Sequence, residues 1–77
     1  MFVKIETEGP DKYGQWRAVA KTANGDRSLG IAETEDKAIR DAKNMFAVYC
    51  GVAVDEVIQD GGVIRKDSKE RIWNDAV

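Results

Sequence analysis

The sequence predicts a single α+β domain over residues 1–77, and three features carry that prediction. Residues 34–51 have apolar side chains at helical spacing, whereas the segments before them alternate apolar and polar residues as strands do. Asn24-Gly25 joins two of those segments and favours a tight hairpin turn, because both residues tolerate positive φ. We therefore expect a three-stranded antiparallel meander followed by one amphipathic helix packed on the sheet, then a short hairpin and a short C-terminal helix.

The first two predicted strands are residues 2–7 and residues 15–23. In the first strand, Val3, Ile5 and Thr7 share the face that is expected to point to the core. In the second strand, the same alternation assigns four residues to the core face. They are Trp16, Ala18, Ala20 and Thr22.

The third predicted strand covers residues 27–33. Its largest apolar side chains belong to Leu29 and Ile31, which are expected to point to the core. Gly30 lies between them in the middle of the strand. A glycine there indicates either a bulge or a place where another backbone approaches closely.

The predicted helix is bounded by Thr34 and Gly51. The Thr34 hydroxyl can accept a hydrogen bond from the first turn, and Gly51 can adopt the left-handed conformation that ends a helix. Phe46 and Tyr49 are expected in the core, and Cys50 is expected to be a small buried hydrophobe. The full apolar arc at helical spacing consists of Ala38, Ile39, Ala42, Met45, Phe46, Tyr49 and Cys50.

After the helix, residues 56–59 and 63–66 flank an Asp-Gly-Gly turn sequence, which predicts a second hairpin. The strand entered from the helix is expected to lie parallel to the first strand, because such crossovers are right-handed. Residues 68–76 are predicted to form the C-terminal helix. Its Trp73 docks either on the protein's own sheet or on a partner, since tryptophan is enriched at interface hot spots.

The composition excludes several kinds of chemistry. The chain has no histidine and one cysteine, so it lacks the commonest general base, the usual zinc ligands and any internal disulfide. We expect no enzymatic activity, no metal and no cofactor. No apolar stretch approaches membrane-spanning length, and the sequence begins without a signal peptide, so a cytoplasmic protein with no membrane association is expected.

Charge is distributed unevenly along the chain. The net charge is −2, but residues 33–64 hold seven acids against three bases. This excess predicts an acidic docking surface for a basic protein partner. The acids form two patches, one at each end of the helix, unless the chain folds back along it. The candidate partner-binding residues are Glu33, Glu35, Asp36, Asp55, Glu56 and Trp73.

A second candidate surface is the outer face of the sheet. If the strand register holds, Lys4, Arg17 and Lys21 project from that face as a modest basic platform for nucleic acid. The alternative is a solvated face with no partner. Phe2 is the one aromatic residue there, so recognition of single strands by base stacking is disfavoured.

The order of three strands and a helix resembles the C-terminal two thirds of a double-stranded-RNA-binding domain. That family carries a glycine, a helix-capping Ser or Thr, spaced alanines and a lysine cluster around the start of its helix. The matching residues here are Gly30, Thr34, Ala38, Ala42 and Lys43. The family's N-terminal helix is missing, and its phosphate-clamping lysines fall on residues 35–37, Glu-Asp-Lys.

The whole chain resembles the small acidic proteins of phages and mobile elements, including some anti-CRISPR proteins, in size, charge and element order. This resemblance implies an inhibitor that docks on a basic partner, such as a CRISPR-type complex that handles nucleic acid. The element order is also similar to the HicB-type antitoxins, although their Pro-Gly-Cys stretch has no match here. A nucleic-acid-binding domain and a HicB-like antitoxin remain as alternatives, and the protein is expected to be a monomer or a homodimer.

Overall fold

A computed structural model describes residues 1–66 of the chain. Its α+β class and its order of meander then helix confirm the predicted architecture. The predicted C-terminal helix over residues 68–76, with Trp73, lies outside the described residues. The elements are β1 (Phe2–Glu8), β2 (Trp16–Lys21), β3 (Arg27–Ala32), α1 (Glu35–Cys50), a 3-10 turn (Val54–Glu56), β4 (Ile58–Gln59) and β5 (Ile64–Lys66).

The sheet has the order β3-β2-β1, and the short strands β4 and β5 both lie on the far side of β1. β1 pairs with β2 and β2 pairs with β3 in antiparallel fashion. The predicted turn between β2 and β3 forms at Asn24-Gly25, although of these two residues only Gly25 has positive φ. β4 and β5 run parallel to β1, so the predicted parallel return from the helix is confirmed. Within residues 1–66, no helix is long and apolar enough to cross a membrane.

The predicted second hairpin is wrong, because the chain does not reverse at its Asp-Gly-Gly sequence. Phe2 of β1 pairs with Ile58, and Glu6 of β1 pairs with Ile64, so both short strands use the same edge of β1. β4 occupies only the first part of this seven-residue strand. The remaining hydrogen-bonding groups of β1 are therefore open to β5, and the Asp-Gly-Gly segment is a bulge within one interrupted edge strand.

The core lies between the sheet and α1. The predicted inward faces of β1 and β2 are confirmed for Val3, Ile5 and Thr7 and for the two alanines of β2, while Trp16 is half-buried against the core. Helix and 3-10 turn close the core from the other side. The buried apolar residues are Val3, Ile5, Ala18, Ala20, Ala38, Ala42, Phe46, Ala47 and Val57.

The prediction that Leu29 and Ile31 point to the core is wrong. Their side chains are 51% and 43% exposed, and Ser28 and Gly30 face α1 instead. A Cβ built on Gly30 would lie 2.3 Å from both Ala38 O and Ala42 N, so the helix backbone rests directly on this glycine. The close backbone approach that Gly30 indicated is therefore real, and it reverses the face assignment of β3.

The helix caps form as predicted, but the buried face of α1 is rotated relative to the predicted apolar arc. The Thr34 Oγ1 accepts from the Lys37 N–H at 3.2 Å, and Gly51 ends the helix at φ 70°. Met45 and Tyr49 are 53% and 72% exposed, so their assignment to the core is wrong. The helix packs mainly on β3 and β2. Its contact with Gly30 directs the flank that carries Met45 and Tyr49 beyond the β3 edge of the sheet. Phe46 is fully buried as predicted, and Cys50 is half-buried against the core.

Two candidate docking surfaces

The first surface is an open groove between α1 and the 3-10 turn, which we call the α1 groove. After Gly51 the chain folds back along the helix, so that Asp36 of the first helical turn and Asp55 of the 3-10 turn line the same depression. One aspartate from each of the two acidic patches expected at opposite ends of the helix thus lines the same groove. The volume is about 410 Å³, and the lining residues are Asp36, Ile39, Arg40, Lys43, Val54, Asp55 and Val57.

The α1 groove combines an apolar floor with charged walls. Val57 is buried and Ile39 is half-buried, while Val54 is exposed and available to a docking side chain. Arg40 and Lys43 line the groove together with the two aspartates. A ligand that fits must therefore alternate apolar and charged groups, because two acids and two bases border one small apolar surface.

Glu35 is engaged by contacts within the molecule. Its carboxylate accepts a hydrogen bond from the Thr7 hydroxyl at 2.8 Å and two from the Arg65 guanidinium, at 2.8 Å to Oε2 and 3.0 Å to Oε1. Hydrogen bonds from Arg65, and to a smaller extent from Thr7, hold the pKa of Glu35 below its ordinary value. This bidentate pair fastens β5 to the start of α1 and leaves Glu35 little capacity for a partner.

The other predicted partner-binding residues are scattered. Glu33 and Glu56 are exposed but do not line the α1 groove. Trp73 lies outside the part of the chain that the structure describes. Sequence reasoning missed Arg40 and Lys43 as groove residues, although their helical spacing from Asp36 places all three on one flank.

The second surface is the outer face of the sheet, opposite α1. Lys4, Arg17 and Lys21 do share this face, as the register requires. Lys4 is directly opposite Lys21, and Lys21 is opposite Arg27, so three bases form one row across the sheet. Sequence reasoning missed Arg27 because the face of β3 was assigned the wrong way round.

The outer face also carries acids and exposed aliphatic residues. Glu6 forms ion pairs with Lys21 and with Lys66, the latter at 3.0 Å. Hydrogen bonds from Lys21, and to a smaller extent from Lys66, lower the pKa of Glu6. The face therefore neutralises part of its own positive charge. Its exposed large apolar residues are Phe2, Leu29, Ile31, Ile58 and Ile64.

Among residues 1–66, no group of three or more cysteine and carboxylate side chains is placed to hold a metal ion. Comparisons with protein-family models, curated proteins and solved structures gave no match for this chain.

Proposed function

We propose that the protein is a non-enzymatic binding module that docks the α1 groove on a basic surface of a partner protein. The observation that carries this proposal is the meeting of Asp36 and Asp55, from the two acidic segments, beside one apolar floor. The pair supplies carboxylates that form ion pairs with basic side chains of a partner, and Val54 supplies exposed apolar area for affinity. Either feature alone is ordinary on a protein surface, whereas their combination in a concave site is typical of docking sites.

The charge pattern of the groove sets the chemistry of the partner. A segment that places a Lys or Arg between the two aspartates and an aliphatic side chain on Val54 satisfies both parts of the site. Arg40 and Lys43 then require an acidic or polar group on the same segment, because like charges brought together would oppose binding. We propose inhibition of a basic, nucleic-acid-handling complex in the cytoplasm as the role, on the basis of the small size and acidic middle of the chain.

A matched pair of charge reversals tests the α1 groove. Asp36→Lys with Asp55→Lys changes the groove, and Asp26→Lys with Asp60→Lys makes the same change in net charge at two exposed positions outside its lining. Each tagged variant is used to capture proteins from a nuclease-treated lysate of the source cells, with circular dichroism as a check on folding. A photo-crosslinking residue at position 54 then identifies the protein seated in the groove.

We expect the groove variant to lose a specific partner that the wild-type protein and the control variant retain. The crosslink at position 54 should join that same partner. Equal capture by both variants, or equal loss in both, would contradict docking through the α1 groove, because the effect would then follow net charge and not position.

A second candidate function is nucleic-acid binding by the outer sheet face. It is favoured by the row formed by Lys4, Lys21 and Arg27. The Glu6 carboxylate on the same face opposes nucleic-acid binding, because it already pairs with Lys21. We expect duplex RNA and DNA to bind more weakly than about micromolar at physiological salt. Fluorescence anisotropy measures this. Tighter binding with a steep salt dependence, lost in Lys4→Glu with Lys21→Glu, would favour this second function.

A further inference from the structure

β3 forms one edge of the sheet, and no strand within residues 1–66 pairs with its outer side. The Thr22 N–H donates to the Asp26 C=O at 2.9 Å, which fixes the phase of the antiparallel β2–β3 ladder. Hydrogen-bonded pairs alternate along such a ladder. Ser28, Gly30 and Ala32 therefore bond to β2. The backbone N–H and C=O groups that point away from the sheet belong to Arg27, Leu29 and Ile31.

The exposed side chains beside this free edge are apolar on the outer face of the sheet, whereas the helix face carries Asp41 together with Met45 and Tyr49. Leu29 and Ile31 are exposed on the outer face. On the helix face, the Asp41 Cβ is among the atoms nearest to Gly30, and Met45 and Tyr49 follow Asp41 at intervals of four residues on the same flank of α1. β3 also carries no proline and no charge between its two ends. It thus lacks two of the usual devices, a proline and a central charge, that prevent an edge strand from pairing.

The sequence of β3 is complementary to itself when read in the opposite direction. In an antiparallel pair centred on Gly30, Leu29 lies opposite Ile31 of the second copy, and Arg27 at the start of β3 comes beside Glu33, the bend residue that directly follows β3 in the second copy. Each contact occurs twice because the arrangement is symmetric. Shifting the centre to Leu29 places Arg27 opposite Ile31, and shifting it to Ile31 places Leu29 opposite Glu33. Only the register centred on Gly30 matches apolar with apolar and base with acid.

We propose that the protein forms a homodimer in which two copies of β3 pair antiparallel about Gly30 and join their sheets into one. The two α1 helices then lie side by side above the joint, and Leu29 and Ile31 form an apolar strip below it. This interface goes beyond the docking function. The α1 groove lies on the other flank of the helix, so the dimer presents two grooves.

A charge swap across the joint tests this register. Arg27→Glu places a like charge opposite Glu33 twice in each dimer, and the double variant Arg27→Glu with Glu33→Arg restores both pairs in reversed order. Lys12→Glu, which makes the same change in charge in the turn before β2, is the matched control. Sedimentation equilibrium of each full-length variant, over a range of protein concentrations at low salt, gives the dimer dissociation constant.

We expect the wild-type protein to dimerise and Arg27→Glu to raise the dissociation constant at least about tenfold. The double variant should recover most of that loss, and Lys12→Glu should change little. Leu29→Lys should also weaken the dimer, because it introduces a charge into the apolar strip below the joint. A wild-type protein that stays monomeric at every concentration overturns the proposal. So does a dimer that Arg27→Glu and Leu29→Lys leave intact, since its interface would lie elsewhere.

Discussion

Gly30→Ala should destabilise this protein more than the size of a methyl group suggests. The glycine does not need an unusual backbone conformation, and alanine suits a strand better than glycine does. The obstacle is space. The added Cβ would lie 2.3 Å from Ala38 O and 2.3 Å from Ala42 N, where ordinary contacts begin at 3.4 Å. These two atoms are four residues apart in α1, so they are partners in one helical hydrogen bond.

The size of the effect follows from what must move. Both obstructing atoms belong to the backbone, so no side chain can rotate away, and α1 must withdraw from β3 by about 1 Å. Overpacking of this kind costs about 1–3 kcal/mol. The same shift stretches the 2.6 Å hydrogen bond from the Ser28 hydroxyl to the Ala42 C=O, which adds about 1 kcal/mol. We therefore expect a loss of about 3 kcal/mol in the free energy of unfolding.

Thermal and urea unfolding followed by circular dichroism, at a protein concentration that keeps the chain monomeric, measure this loss. For a domain of this size the midpoint should fall by about 12–24 °C. Gly62→Ala is the matched control, because nothing lies within 4 Å of a Cβ at that position. A midpoint for Gly30→Ala within about 2 °C of the control would show that α1 does not rest on β3 as described.

Three further perturbations have defined outcomes. Ala42→Asp buries an unpaired carboxylate under the sheet and should cost about 3–5 kcal/mol in thermal unfolding; a wild-type midpoint would mean that another helix face is buried. Ser28→Ala should lose about 1 kcal/mol, and no change in urea unfolding would contradict a structural role for that hydroxyl. The pKa of Glu35 lies below its ordinary value of 4.5 in the folded chain, so the stability it contributes is present above that value and is lost as the pH falls through the lower folded pKa. Glu35→Gln should therefore flatten the acid side of the stability profile, and an unchanged slope would exclude this linkage.

Local signals in the sequence were sufficient for the parts of the fold that depend on local physics. The helix limits follow from capping by Thr34 and Gly51, and the β2–β3 turn follows from Asn24-Gly25. The face of β3 could not be obtained from hydrophobic alternation, because the close packing of α1 on Gly30 overrides it. A signal for the correct face was present. Ala18 and Ala20, which are opposite Gly30 and Ser28, are small as well, and four small residues on one face indicate a helix in close approach.

The candidate sites depended on long-range geometry that alternation and composition do not contain. Asp36 and Asp55 line one groove because the chain after Gly51 folds back along α1. The sequence does not show whether the chain folds back, so it predicts one acidic site only if that happens. Glu35 does not contribute to the acidic surface because it pairs with Arg65, 30 residues away. That pairing depends on β5 lying beside β1, whereas the Asp-Gly-Gly sequence favoured a hairpin.

The wrong face of β3 and the proposed dimer have the same physical cause. A helix that rests on Gly30 leaves no room for large side chains on the inner face, so the apolar residues that β3 carries must point outward. Leu29 and Ile31 therefore add nothing to the core, and replacing each of them by threonine should change the free energy of unfolding of the monomer by less than about 0.5 kcal/mol. The same replacements should weaken the dimer, because they remove apolar area from both sides of the joint. If the double replacement unfolds the monomer, Leu29 and Ile31 have a role in the core and do not serve association alone.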